Sequence, residues 1–389
     1  MFPFEYHLPT KVIFGEGTIN QLGEVASSFG KKAMLVTYDE EFVKSVGFYD
    51  AAIKSLQEKG IEVITFFGVK SNPTVEHARE GITIAKAEKP DVFIALGGGS
   101  VIDTVKAMAL GALSDGDVWD IAVGNVEAVE ALPIVTVVTI PATSSEMNNV
   151  SVISNDALKR KEGFRNALMF PKVSILDPEV TYSIPIMQTA ISAVDIVSHL
   201  LEGYLNHNDP WAPMQDRFAQ GMIKTVIDCM ERLQDNPEDP QARATMMWVA
   251  TFAWNGFYTC GIGGFDNPIH AVGHTFSAFY DVAHGAAMSV SIPAVMKYHL
   301  KERIEKYSVF AQEVFGIEGD VSEKTAQAGI DALVAWFKKV GAPITFAEAN
   351  MPDNELDAMA DDILVTAENW GIAEFYTKEK VLDMLQLCL

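Results

Sequence analysis

The chain has 389 residues, of which 49% are apolar and 21% are charged, a composition typical of compact globular proteins. Because a single hydrophobic core stops growing near about 250 to 300 residues, this length predicts two or three domains. The 52 acidic and 29 basic residues give a formal net charge of -23. This charge repels nucleic acids and anionic membranes, so an anionic cofactor must be held locally by backbone N–H groups, a helix terminus or a metal ion.

The cysteines and the N-terminus indicate the compartment. Cys229, Cys260 and Cys388 are widely spaced, so neither a disulfide framework nor a thiolate zinc site is indicated. The first ten residues lack the basic and apolar segments of a signal peptide, and no apolar run reaches the ~18 residues of a membrane span. We therefore expect a cytoplasmic protein with no nucleic-acid or membrane partner.

Short apolar, β-branched runs alternate with helical patterns in the first half of the chain. The runs, which predict strands buried on both faces, are 11–14, 33–37, 62–66, 92–96, 134–140 and 173–176. The helical patterns between them include 20–29, 48–59, 74–87 and 101–112. This alternation predicts an α/β domain with a Rossmann-like parallel sheet and helices on both sides, and 150–176 is expected to include an antiparallel hairpin.

Strand patterns stop near Asp177-Pro178 and Pro185. Helical patterns follow at 186–206, 213–235, 240–258, 268–280, 285–300 and 322–340. The sequence thus predicts two domains, an α/β domain over 1–184 and an all-α domain over 185–389.

A glycine-rich loop follows the predicted strand at 92–96. Gly97-Gly98-Gly99 precedes Ser100, which we expect to cap the next helix with Asp103 as its capping-box acid. Such a loop either binds a phosphate at the helix N-terminus or is an ordinary strand-to-helix turn.

Two other loops are expected at the same edge of the sheet. Asp39 follows the second strand, where a carboxylate binds a ribose 2′-hydroxyl and repels a 2′-phosphate. The hydroxyl-rich segment 141–146 follows the fifth strand. Ligands of open α/β sheets bind at the carboxyl ends of the strands, so the three loops together favour a dinucleotide site.

Four histidines and one aspartate fall in two short windows of the second half. Asp195 and His199 are one helical turn apart, as are His270 and His274, and His284 follows after a loop. The stripe that contains Asp195, His199 and Glu202 is either a solvated helix face or a ligand face. One carboxylate and three imidazoles suit Fe²⁺ or Zn²⁺. The spacing alone does not identify which of the four histidines is not a metal ligand.

These motifs together resemble the iron-containing (metal-dependent, group III) alcohol dehydrogenases, particularly their butanol dehydrogenase-like branch. The resemblance rests on Gly97–Ser100 with Asp103 and Lys106, on 141–146, on Asp195 with His199, and on His270, His274 and the His284-Gly285 pair. It covers nearly the whole chain. It implies an active site in the cleft between the two domains and a homodimeric assembly.

The resemblance also implies roles for single residues. The metal ligands would be Asp195, His199, His270 and His284, and His274 would lie beside the nicotinamide and the substrate as the catalytic residue. The implied cofactor contacts are Asn72, Gly97, Gly98, Gly99, Ser100, Thr139, Thr143, Asn148 and Lys161. Some relatives carry a glycine-rich turn after the second strand and use NADP, whereas Asp39 and Glu40 here favour NAD.

The activity implied is oxidation of aliphatic primary alcohols such as butanol, or reduction of the aldehydes, with NAD or NADP and Fe²⁺ or Zn²⁺. The alternatives are a lyase of the dehydroquinate synthase kind and a polyol oxidoreductase of the glycerol dehydrogenase kind. The lyase needs a basic cluster for a phosphorylated sugar acid, which the helical half lacks. Apolar residues that either line a substrate pocket or belong to the core are Met147, Met169, Trp254, Phe257 and Phe265.

Overall fold

A computed structural model describes residues 1–264 and 266–389, which fall into two compact units. The first, here called the sheet unit, comprises residues 7–184 and 238–255. The second, here called the helical unit, comprises residues 1–6, 185–237 and 256–389.

The sheet unit is built on a parallel sheet whose strands lie in the order β1-β8-β5-β4-β2-β3. The strands, including the antiparallel hairpin β6–β7, are β1 Lys11–Phe14, β2 Lys32–Val36, β3 Glu62–Phe66, β4 Val92–Gly97, β5 Ile134–Val138, β6 Val150–Asn155, β7 Arg160–Arg165 and β8 Val173–Leu176. The predicted strands and the predicted hairpin are confirmed, and the strand ends agree within two residues.

Helices cover both faces of this sheet. They are α1 Leu22–Ser27, α2 Glu40–Ser45, α3 Phe48–Glu58, α4 Val75–Glu88, α5 Gly99–Gly111 and α6 Val118–Ala122. One apolar cluster joins Met34, Phe93 and Val105 on the α4–α5 side, and another joins Leu22, Leu56 and Ile94 on the α1–α3 side. Because both faces are buried, every residue of β4 is buried, which explains why its sequence reads as a continuous apolar run.

The rest of the chain is helical, as predicted. Its helices are α7 Ile186–Asn206, α8 Pro213–Asp235, α9 Pro240–Ala253, α10 Pro268–Tyr280, α11 His284–His299, α12 Ile304–Phe315, α13 Glu323–Val340, α14 Leu356–Asn369 and α15 Lys378–Gln386. The expectation that α9 extends to residue 258 is wrong. Trp254 leaves the helical conformation with φ -146°, and Gly256 has φ 85°, so the chain turns there.

Helix α9 groups with the sheet unit although it follows the predicted boundary in sequence. The Ser144 hydroxyl donates to the carbonyl oxygen of Ala250 at 2.5 Å and accepts from the Trp254 N–H at 2.7 Å. The ring of Trp248 lies 5.6 Å from that of Phe14 on β1. These contacts hold α9 against the segment that follows β5.

Among the residues that the structure describes, no helix combines the length and the apolar character needed to cross a bilayer.

The start of α5 differs from the capping box expected at Ser100 and Asp103. The helix begins at Gly99, and its N-cap is Gly98, so Ser100 lies inside the first turn. The Asp103 carboxylate accepts instead from the Ser145 hydroxyl at 2.6 Å and from the Val152 N–H at 3.0 Å. The box is absent because Asp103 is bonded to residues distant in sequence that pack against α5.

A buried lysine on α5 completes this network. The Lys106 ammonium group donates to the Ser145 hydroxyl, the Asn148 side-chain carbonyl and the Val150 carbonyl at 2.8, 2.8 and 2.7 Å. Burial lowers the pKa of Lys106 to about 8, although Asp103 acts in the opposite direction. All three ammonium donors are used, so the lysine ties α5 to the loop after β5 and to β6.

We expect Lys106→Met to lower the free energy of unfolding by about 3 to 5 kcal/mol, because it leaves the Asp103 carboxylate without its buried cation. Urea denaturation measures this loss. Lys86→Met removes an exposed lysine from α4 and should change stability by less than about 0.5 kcal/mol. Equal effects of the two substitutions would contradict the structural role of Lys106.

Candidate functional site

Four side chains predicted as metal ligands come together in the helical unit. Asp195 and His199 lie on α7, His270 lies on α10, and His284 is the first residue of α11. One ligand atom from each lies within 4.8 Å of the others. Asp195, His199 and His270 are buried and His284 is partly buried, so the solvated-face interpretation of this stripe on α7 is wrong.

Hydrogen bonds and short contacts orient these predicted ligands. The His199 Nδ1–H donates to the main-chain carbonyl of Asp195 at 2.8 Å, which leaves the lone pair on Nε2. The Asp195 Oδ1 atom lies 3.5 Å from Nε2 of His284. Burial lowers the pKa of His199 to about 4, so its imidazole is neutral near pH 7, the form that binds metal ions.

The donor set fits a divalent transition metal. With metal–ligand bonds of about 2.1 Å, ligand atoms lie about 3.4 Å apart in a tetrahedron and about 4.2 Å apart across an ion. The separations of up to 4.8 Å are only slightly larger. One carboxylate with three neutral imidazoles is typical of Fe²⁺ and Zn²⁺ rather than of Ca²⁺ or Mg²⁺, which prefer oxygen.

Glycine at position 285 allows the ligand-bearing helices to approach each other. A Cβ atom on Gly285 would lie 2.1 Å from the carbonyl oxygen of Ile191 on α7. A Cβ on Gly273 of α10 would similarly lie 1.9 Å from the end of the Met288 side chain on α11. Close contact between helices therefore explains why a glycine follows His284.

His274, predicted as the catalytic residue, lies beside the four ligands. It is one turn after His270 on α10, and its ring centroid lies 5.2 Å from that of His284. The Trp370 ring meets it edge-on at 5.3 Å. The His274 imidazole therefore lies next to the four predicted metal ligands but is not one of them.

Glu202, for which the sequence analysis predicts no individual role, contacts His270 directly. Its Oε2 atom accepts from Nδ1 of His270 at 2.6 Å and from the His270 N–H at 2.9 Å. Burial raises the pKa of Glu202 to about 8. The sequence feature that could have identified Glu202 is its spacing, because it lies one turn beyond His199 on the same face of α7.

The glycine loop lies in the sheet unit, where β4 meets α5. A Cβ on Gly99 would lie 2.5 Å from the Thr143 hydroxyl, and one on Gly98 would lie 2.9 Å from the Ile140 side chain. Glycine therefore allows close contact between this loop and the loop after β5. The Tyr38 hydroxyl accepts from the Gly98 N–H at 2.8 Å, so a residue following β2 meets the same loop.

Thr139 supplies a buried polar atom that is consistent with a ligand at this edge. Its main-chain N–H donates to the Gly97 carbonyl at 3.1 Å. Its hydroxyl is buried and has no hydrogen-bond partner within 1–264 and 266–389. A buried hydroxyl without a partner is costly, and a bound ligand group offers one.

The remaining predicted cofactor contacts make bonds of their own. Lys161 donates to the Asn72 side-chain carbonyl at 2.9 Å. The Asn148 carbonyl accepts from Lys106 and from the Val150 N–H, and its NH₂ group donates to the carbonyls of Thr143 and Trp254. Asn148 therefore stabilises the loop that contains Thr143.

Asp39 caps a helix. Its Oδ1 atom accepts from the Glu41 N–H at 2.9 Å and the Phe42 N–H at 3.3 Å, at the N-terminus of α2. The carboxylate thus stays fixed at the end of β2, where a cofactor ribose is expected.

Two of the candidate pocket residues belong to the core. Met147 and Met169 are 4% and 0% exposed, respectively. Phe265 lies outside the described residues.

Known proteins resemble this chain over both halves of its sequence. Residues 9–178 match the family model "Iron-containing alcohol dehydrogenase", and residues 189–388 match "Fe-containing alcohol dehydrogenase family, C-terminal". The chain is 38% identical over 388 residues to a Bacillus subtilis protein named "Probable NADH-dependent butanol dehydrogenase 1", with 99% of each chain covered. It is 31% identical to the NADPH-dependent aldehyde reductase of Escherichia coli over 92% of this chain and 91% of that one.

A solved structure shows the same fold. The NADH-dependent butanol dehydrogenase A of Thermotoga maritima superimposes with a TM-score of 0.95 at 38% identity, covering 100% of this chain and 99% of that one. The family models together span both halves of the sequence. The chain therefore belongs to the iron-containing alcohol dehydrogenase family.

Proposed function

We propose that this protein interconverts aliphatic primary alcohols such as butanol and the corresponding aldehydes, with NAD as the preferred cofactor. The observation that carries the proposal is the convergence of Asp195, His199, His270 and His284 within 4.8 Å, in a chain that also carries the glycine loop of a dinucleotide site. Relatives named as butanol dehydrogenases and as an aldehyde reductase support the substrate class. The names of these relatives favour this function over a dehydroquinate synthase-like lyase and a glycerol dehydrogenase-like activity.

In this proposal Asp195 and the three histidines hold the ion, which when bound acts as a Lewis acid that stabilises negative charge on the substrate oxygen. A bound nicotinamide would supply or accept the hydride. Gly97 to Ser100, Thr139 and Thr143 would bind the dinucleotide, together with Asn72 and Lys161. Asn148 would act through the loop that contains Thr143, because its own amide is fully hydrogen-bonded. His274, beside the ligands, exchanges the hydroxyl proton with solvent.

Asp39 and its neighbours support the preference for NAD. Asp39, Glu40 and Glu41 follow β2 after two intervening residues, and Asp39 is fixed as the N-cap of α2. Three carboxylates at this point disfavour the extra phosphate of NADP through charge repulsion. The Bacillus subtilis and Thermotoga maritima relatives, each 38% identical to this chain, are named as NADH-dependent.

We propose a cytoplasmic homodimer. Large apolar side chains are exposed around the N-terminal segment of the helical unit, namely Met1, Phe2, Phe4, Tyr6, Trp211, Met214 and Phe218. The segment is held in place by the Phe2 N–H, which donates to the Gly261 carbonyl at 2.8 Å. An exposed apolar surface of this kind is typical of a protein interface.

The activity is tested by absorbance at 340 nm with metal-loaded protein, NADH or NADPH, and a panel of aldehydes from ethanal to hexanal. We expect oxidation of NADH with butanal, and no oxidation after the metal is removed by a chelator. Absence of turnover with every aldehyde and both cofactors would contradict the proposal.

His270→Ala is expected to weaken metal binding by at least about 100-fold, because it removes a direct ligand, and to abolish alcohol oxidation. Metal content after anaerobic purification and dialysis measures the loss. His299→Ala is the matched control, since His299 pairs with Glu302 outside the metal set. Full metal occupancy in His270→Ala would show that the ligand assignment is wrong.

Asp39→Asn is expected to raise the ratio of kcat/KM with NADPH to kcat/KM with NADH about tenfold, because it removes a charge while asparagine still caps α2. Glu58→Gln is the control, since it removes a charge from the end of α3, which precedes β3 and so lies away from the carboxyl ends of the strands. An unchanged ratio in Asp39→Asn would exclude Asp39 as the selector.

Sedimentation velocity tests the assembly. Each chain has a mass of 42.5 kDa, so we expect a species of twice that mass, and Phe4→Glu should shift it towards the monomer. A wild-type monomer at micromolar concentration would contradict the proposed dimer.

A further inference from the structure

Glu202 joins two of the helices that carry the metal ligands. Its side chain is fully buried on α7. One carboxylate oxygen accepts from both Nδ1 and the main-chain N–H of His270, and the other accepts from the Ile269 N–H at 3.3 Å. A single side chain of α7 therefore contacts both the imidazole of His270 and the backbone that carries it.

The two N–H groups belong to the first turn of α10, which lacks its usual local cap. Asn267, the N-cap residue, has φ 45°, and its side chain caps no N–H group of the described chain. Glu202 supplies the missing acceptors from a neighbouring helix. Because the first N–H groups of a helix have no partner within it, this carboxylate fixes the position of α10 against α7.

A second layer holds Glu202 in place. The Asn206 NH₂ group donates to Oε1 of Glu202 at 2.9 Å, and the Asn206 carbonyl accepts from the Arg303 guanidinium. Arg303 also donates to the Leu205 carbonyl at 2.6 Å. Because a guanidinium has only donors, Arg303 requires the Asn206 amide to point its oxygen outward and its NH₂ group towards Glu202.

We propose that Glu202 is a positioning residue of the metal site, which holds the His270 imidazole in the tautomer and orientation that direct Nε2 at the ion, with Asn206 and Arg303 fixing Glu202 in turn. This inference rests on the proposed ligand role of His270. An imidazole whose Nδ1–H donates to a carboxylate is a more basic and less mobile ligand. The network thus prepares the site before an ion arrives.

Glu202→Gln keeps the size of the side chain but disturbs the hydrogen bonds that link it to His270 and Asn206. If the glutamine oxygen accepts from His270, its NH₂ group faces the Asn206 NH₂ group and the Ile269 N–H, which are also donors. A flip of the Asn206 amide would place its oxygen against the glutamine NH₂ group, but it would break the hydrogen bond from Arg303. The variant should therefore hold the His270 ring less firmly without removing a ligand.

The test uses metal-stripped, full-length protein and measures the Zn²⁺ dissociation constant by competition with a chromophoric chelator, together with the visible spectrum of the Co²⁺ form. We expect Glu202→Gln to weaken Zn²⁺ binding about 10- to 100-fold and to change the Co²⁺ bands, while the Tm of the metal-free protein stays within a few degrees. Zn²⁺ affinity within about threefold of wild type with an unchanged Co²⁺ spectrum would overturn the inference.

Asn206→Leu is the second variant and is decisive if Glu202→Gln does not fold, since it retains the Glu202 carboxylate and removes the amide that links it to Arg303. We expect it to weaken Zn²⁺ binding about tenfold, and an unchanged affinity would overturn the role of the second layer. Glu302→Gln is the matched control, because it removes an acid that pairs with His299 at 3.0 Å. It should bind Zn²⁺ as the wild type does.

Asp195→Asn separates this inference from the proposed function. If Asp195→Asn loses Zn²⁺ while Glu202→Gln binds it normally, the metal site stands and the role of Glu202 is refuted. If Asp195→Asn binds Zn²⁺ as tightly as the wild type, the ligand set itself is wrong, and the inference falls with it.

Discussion

The helical unit depends on satisfying a group of charged and polar side chains buried among apolar helices. Asp195, His199, His270 and Glu202 are all less than a tenth exposed. Removing such groups from water is costly unless each gains a partner of matching chemistry. Hydrogen bonds within the unit meet part of this need, and in the proposed function a divalent ion would meet the rest for three imidazoles and a carboxylate.

The same constraint explains the local sequence around the ligands. The helices must be close enough for side chains from three of them to share one centre, which small residues such as Gly273 and Gly285 permit. Hydrogen bonds also fix two of the predicted ligand rings: the Asp195 carbonyl accepts from His199, and Glu202 accepts from His270. In the sheet unit, glycine also permits close packing, because the absence of a Cβ atom at Gly99 leaves room for Thr143.

The sequence predicts those features that depend on local pattern. Strands buried on both faces read as continuous apolar runs, so β1 to β5 and β8 were located within two residues. The pairs Asp195–His199 and His270–His274 were visible because side chains four positions apart share a helix face. The choice of His284 over His274 as a ligand needed the family resemblance, and the structure groups His284 with the other three.

Bonds between distant residues were not predictable in this way. Glu202 and His270 are 68 positions apart, and periodicity on α7 says only that Glu202 shares the ligand face. The position of Asp103 predicts a capping-box acid, but its carboxylate is bonded to Ser145 and Val152. The sequence position of α9 predicts that it belongs to the helical half, but it packs in the sheet unit. In each case the local sequence is compatible with more than one arrangement, and contacts between residues distant in sequence determine which one forms.

The metal centre is tested most directly by anomalous diffraction at the iron and zinc absorption edges, with crystals of protein purified without oxygen. One peak per chain is expected, about 2.0 to 2.3 Å from an atom of each of Asp195, His199, His270 and His284. A fully occupied peak elsewhere in the molecule, with these four side chains bonded only to one another, would contradict the assignment.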